Sequence, residues 1–256
     1  MPEAQYSVPD FGSIVLDLPD LPSLVSLQSY VPGLQAKAAA SCDLELRYDC
    51  RLVGSLHQDA GLLTLGGLWS PHRAHDIPHL LYAIVRKSWI SRGLYPAHAA
   101  AVQKLSGEAV LLAGPSGVGK TTISDALVER TGWGFISGNK TLVSADGRKM
   151  DIHAATLTRS ILQPDGSRQQ LQVECAGVYP IKIAAIILPY LNDGRQDWYQ
   201  LSQLSALHTL FPLFLDAMNA DVLIDSAAAL YDGAVSAAAK RGLATALEKV
   251  LGAIPV

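Results

Sequence analysis

The sequence predicts an α/β fold with a phosphate-binding core and a β-rich N-terminal region. Three observations predict it. A glycine-rich turn, GPSGVGKT at 114–121, lies between an apolar run and an amphipathic run. After about residue 95, strand-length apolar stretches give way to longer helical ones. Before residue 70, the text is short alternating stretches broken by Pro and Gly. The expected division is a β-rich region over 1–70 and a nucleotide-binding domain over 71–256.

In chain order, SIVLDL (13–18), CDLELRYDC (42–50) and GLLTLGGLW (61–69) alternate as strands. A helix is expected over 76–92, where Ile77, Leu80, Leu81, Ile84, Val85, Trp89 and Ile90 recur near helical spacing and Gly93 ends the run. Strands follow at 96–102, 109–114, 134–137 and 140–144, with the phosphate-loop helix over 120–130. IKIAAIILPYL (181–191) reads as another buried strand. Helices are expected at about 201–216, 219–230 and 234–252.

Composition narrows the function. With 49% apolar and 17% charged residues, the 256-residue chain can bury a large core. A net charge of −3 offers no polyanion-binding surface, so nucleic acid is not an expected partner. Cys42, Cys50 and Cys175 are odd in number, lack CxxC spacing and read as reduced thiols. The N-terminal MPEAQYSVPDFGS lacks the pattern of a signal peptide, and no apolar run reaches bilayer length. A cytoplasmic protein without membrane partners is expected.

GPSGVGKT fits G-x-x-x-x-G-K-[ST] at every position. Glycines let successive N–H groups turn toward one anion, and the following helix aims its dipole at the same place. The expected nucleotide site is therefore Gly114, Pro115, Ser116, Gly117, Val118, Gly119, Lys120, Thr121 and Thr122. Lys120 reaches the β- and γ-phosphates, and the Thr121 hydroxyl joins the magnesium shell. No NKxD guanine reader follows; NKT at 139–141 is too near the loop and lacks the Asp. ATP with Mg²⁺ is the expected ligand pair.

YPAHAAAV (95–102) puts His98 at the end of a strand just before the loop strand. GWGFISGNKTLVS (132–144) gives a short strand after the loop helix, and YPIKIAAIILPYLND (179–193) precedes LSQLSALHTLF (201–211). This order resembles the HPr kinase/phosphorylase family. It is nearer the smaller HPr-kinase-related proteins, among them kinases encoded beside peptide-modification genes, such as those acting on lasso-peptide precursors. The resemblance covers roughly residues 70–215. It implies a P-loop kinase fold unlike the adenylate-kinase or GTPase types, and commonly self-association. The C-terminal helix would serve that or cap the core.

The resemblance also implies a histidine near the transferred phosphoryl group, matched by His98. It implies an Asp-Asp pair at the end of the strand after the loop helix, as general base and magnesium aid. Here those positions read Gly138-Asn139, followed by Lys140. An asparagine takes no proton from an acceptor hydroxyl. Three readings follow. The acceptor, a small molecule or peptide, is already anionic and needs no base, which would suit Lys140. Alternatively, another group, His98 first, supplies the base. Or transfer is lost, and the chain is an ATP-binding regulatory partner. Asn139, with His98 and Lys120, is the expected catalytic set.

Other candidates carry plain structural alternatives. Asp193 arrives late for a magnesium aspartate, and Glu174 precedes the late strand. Asp125 and Glu129 read as surface or cap-region charges on the loop helix. His72, His75 and His79 read as a solvated linker face, with Pro78 interrupting the helix start. Asp151 and His153 share a strand face that lines the acceptor or merely the surface. Arg159, Arg168 and Arg195 are candidate clamps for phosphate or an acidic acceptor.

Overall fold

A computed structural model describes residues 3–36, 42–52, 56–59, 61–146, 148–163, 165–190, 199–215 and 237–256. It is mixed α/β, as expected, with two large sheets, a small hairpin sheet and five helices among the described residues. The expected helix at 219–230, Asp193 and Arg195 lie outside the described residues.

The N-terminal sheet contains β1 (Glu3–Val8), β2 (Gly12–Asp17), β3 (Gln35–Ala36), β4 (Leu44–Tyr48), β5 (Leu56–Asp59) and β6 (Leu62–Leu65). Their order is β3-β1-β2-β4-β6-β5, parallel at β2/β4 and β4/β6. Alternation explains the buried face: Ile14 and Leu16 on β2, Leu44 and Leu46 on β4, and Leu63 and Leu65 on β6 all point to one core. Helix α1 (Leu24–Tyr30) is started by Ser23, whose Oγ accepts from the Ser26 N–H at 3.1 Å.

Helix α2 (Pro71–Ser91) completes that core. The expected start at 76 is corrected. The helix begins at Pro71 and runs through Pro78. Proline forfeits one helical hydrogen bond, yet the helix continues through it, with Ile77, Leu80 and Leu81 fully buried around it. Tyr82 and Ala83 are buried too, because α2 is covered on more than one side, packing on the second sheet as well. The Trp89 Nε1–H donates to the Pro9 carbonyl at 2.7 Å.

The second sheet contains β7 (Leu94–Gln103), β8 (Ala109–Ala113), β9 (Gly134–Ser137), β10 (Lys140–Asp146), β11 (Lys149–Ala155) and β14 (Ile181–Ile187). Its order is β10-β11-β14-β8-β7-β9, and β10 also pairs with β7, so the sheet returns on itself. Ala101 faces Ser137 and His98 faces Lys140 along the same edge of β7. β9 and β10 are thus one line of chain, interrupted at Gly138-Asn139. Helix α3 (Lys120–Thr131) covers Ala100, Val102, Val110 and Leu112 on one face. Helices α4 (Gln203–Leu215) and α5 (Ala237–Leu251) cover Ala97, Ala99, Ala101, Leu111 and Ala113 on the other. The hairpin β12 (Thr158–Leu162) and β13 (Arg168–Gln172) packs on α1.

The expected strands and the helices expected at about 201–216 and 234–252 recur with ends shifted by a few residues. β1, β3, β5, α1 and the β12–β13 hairpin were not expected. No helix among the described residues is long and apolar enough to cross a membrane.

Candidate functional site

Strand β8 is five residues of Ala, Val and Leu, all buried, and it ends at the loop 114–119. A Cβ on Gly114 would press to 2.9 Å from Val118 Cγ2, so a larger residue there would have to displace that side chain. Gly117 and Gly119 have φ of 88° and 92° with nothing within 4 Å of a would-be Cβ. There the demand is conformational, since L side chains rarely adopt that region. Gly119 then caps α3 without a side chain, leaving the first helical N–H groups directed into the loop.

Pro115, Ser116, Gly117 and Thr122 are exposed, Val118, Gly119 and Thr121 half-buried, and Gly114 and Lys120 buried. Lys120 is 7% exposed. Its ammonium donates to the Gly114 and Pro115 carbonyls at 2.7 and 2.8 Å, and lies 3.5 Å from His98 Nε2. His98 reaches it because strand alternation turns Ala97 and Ala99 to the α4/α5 side and His98 to the α3 side. The same face of β7 carries Leu94 in the N-terminal core and Ala100 under α3. His98 therefore stands where these two cores meet, with Lys120 beside it.

Opposite His98 is Lys140. It is 4% exposed, with Nζ 4.0 Å above the Tyr82 ring of α2. A desolvated cation over an aromatic face is stabilised by up to about 2 kcal/mol. Lys140 is thus turned toward α2, which anchors the sheet to the N-terminal region. Asn139 spans the same boundary: its Nδ2 donates to the Ser29 carbonyl of α1 at 3.3 Å.

The break at Gly138-Asn139 is held by hydroxyls that the sequence did not single out. Ser137 Oγ donates to the Lys140 carbonyl at 2.8 Å, and the Lys140 N–H donates to Thr156 Oγ1 at 3.0 Å. A Cβ on Gly138 would overlap the Thr158 carbonyl oxygen and lie 3.4 Å from Arg159 Cα. β12 thus passes directly over position 138, which no side chain can occupy as the backbone stands.

Arg159 reaches from β12 to α3, where its Nη2 donates to Asp125 Oδ2 at 2.7 Å. Asp125, expected as a surface or cap-region charge, is half-buried. Its carboxylate is an ion-pair partner, and Oδ1 is buried. Glu129 and Glu174 are exposed. The solvated linker face expected at 72–79 is corrected for His79, which is half-buried with its ring 4.2 Å from Tyr30; nothing is described of the His72 and His75 side chains. His153 Nε2 is 2.8 Å from Ser144 Oγ. Ser144 lies four residues along β10 from Lys140, roughly 13 Å at strand rise. Asp151 faces Ser144, so this face is set apart from the loop. Among the cysteines, Cys42 and Cys50 are exposed and Cys175 is half-buried.

No family model matches the chain. A segment of 95 residues is 30% identical to ABC transporter G family member STR of Medicago truncatula. The match takes in 35% of this chain and spans only 11% of the transporter's length.

Proposed function

We propose that the chain binds ATP with magnesium at the loop 114–121 and transfers the γ-phosphoryl group to a small-molecule or peptide acceptor. The observation that carries this is the buried Lys120 ammonium, set between the loop carbonyls and His98 at a glycine-built helix start. The partial similarity to an ABC transporter supports nucleotide binding. The architecture of β7, β8, α3 and β9 supports a core of the HPr-kinase type.

In this reading the loop amides and Lys120 hold the β- and γ-phosphate oxygens. Thr121 would hold the magnesium through its hydroxyl, and the bound ion would supply positive charge against those oxygens. His98, 3.5 Å from Lys120 Nζ, would accept or donate at the γ end. Asn139 and Lys140 fix the boundary with α1 and α2, so their first contribution is to the shape of the acceptor side. Rate then comes from positioning and charge stabilisation.

A second reading, an ATP-dependent regulatory partner, is favoured by Gly138, where β12 excludes any carboxylate side chain. Incubation with γ-labelled ATP and acceptor mixtures, peptides and small anions included, separates the two. Label on an acceptor supports transfer. Saturable ATP binding with no label moved and no hydrolysis supports the partner.

A further inference from the structure

A phosphate loop that holds magnesium needs a carboxylate near its Ser/Thr hydroxyl, ordinarily at a strand end. The strand end beside α3 carries Gly138 and Asn139 and offers none. Asp125 does lie near. Thr121 and Asp125 are four residues apart on α3 and so share a face. Helical side chains lean back toward the helix N-terminus, which sets the Asp125 carboxylate over the turn that begins with Thr121.

The carboxylate is also held. Arg159 Nη2 fixes Oδ2 at 2.7 Å. Oδ1 is buried and has no hydrogen-bond partner among the described residues, and neither has Arg159 Nε across the pair. A buried carboxylate oxygen left so is costly unless something donates to it. The Arg159 backbone passes close to Gly138, where a Cβ would lie 3.4 Å from the Arg159 Cα.

We propose that Asp125, oriented by Arg159, is the positioning carboxylate of the magnesium site, its Oδ1 accepting a hydrogen bond from a water of the hydrated ion held at Thr121. This rests on the nucleotide-binding reading above. It accounts for three features together: the i, i+4 spacing from Thr121, the arginine on one oxygen and the missing donor on the other. Asp125 acts through the metal's water, and no proton or phosphoryl transfer is assigned to it.

The test is calorimetric titration of ATP into the full chain, once with magnesium and once with EDTA. Magnesium should tighten ATP binding to the wild type. In Asp125→Asn that gain should shrink by on the order of tenfold, the usual loss for an outer-shell partner, while the affinity in EDTA and the circular dichroism stay as in the wild type. A merely structural role would lower both affinities together. Arg159→Gln, which releases the carboxylate, should reduce the same gain to a lesser degree, and it decides the matter if Asp125→Asn does not fold. An undiminished magnesium gain in a folded variant overturns the proposal. Equal wild-type affinity in magnesium and EDTA overturns it while leaving the nucleotide reading intact. No ATP binding in either buffer removes both.

Discussion

A methyl group on Gly138 would collide with the carbonyl oxygen of Thr158, twenty residues on. The contact is backbone to backbone, so it does not relax by a rotamer change. It leaves position 138 to glycine as the backbone stands. Gly138→Asp is expected to lower stability by about 1–3 kcal/mol, the usual cost of overpacking, and to add no transferase activity. Chemical denaturation and the γ-label assay check both halves; an active Gly138→Asp of wild-type stability would contradict them.

Lys120→Ala removes the ammonium from the loop carbonyls but leaves β8 and α3 packed. Nucleotide binding and any phosphoryl transfer should be lost, while far-ultraviolet circular dichroism stays unchanged. Retained activity would take the loop out of the mechanism.

Lys140 and Asn139 should behave as anchors of the sheet to the N-terminal region. Lys140→Met gives up the contact with Tyr82 and should cost about 1–2 kcal/mol. Asn139→Ala gives up the bond to Ser29 and should cost about 1 kcal/mol. Urea unfolding measures each loss. If either variant keeps full stability and loses only acceptor turnover, that residue touches the acceptor instead.

Glu108, just before β8, accepts from Lys182 of β14 at 3.0 Å and lies 3.7 Å from Lys104. The Lys182 hydrogen bond, followed by its charge, holds the carboxyl below the usual glutamate range. A depressed folded-state pKa means that the contribution is present above the unfolded pKa and fades as pH falls through the folded one. Lys182→Ala should move the Glu108 titration back up, as read by carboxyl chemical shifts. A midpoint that does not move would show that the bond is not formed in solution.

How far the sequence reached follows from how local each signal is. The phosphate loop is contiguous, and its glycines are required by backbone geometry that is legible in eight residues. Buried strands such as β8 and β14 announce themselves by composition. Helix α1, with seven residues, is too short to show a period, and the β12–β13 hairpin (TRSIL, RQQLQ) is too polar to read as strands. Pro78 pointed to a break, yet the helix continues through it with buried neighbours on both sides. The site's supports lie far apart in the chain. Asn139 meets Ser29 across 110 residues, and Arg159 meets Asp125 from another sheet. No spacing rule carries such pairs; Arg159 was visible as a candidate clamp only by its residue type.

The most direct test of the central claim is isothermal titration of Mg-ATP and Mg-GTP into the full chain, with Lys120→Ala alongside. The account predicts saturable heat with the wild type and its loss in the variant. No heat from either nucleotide at millimolar concentration, or equal affinity in the variant, would contradict it.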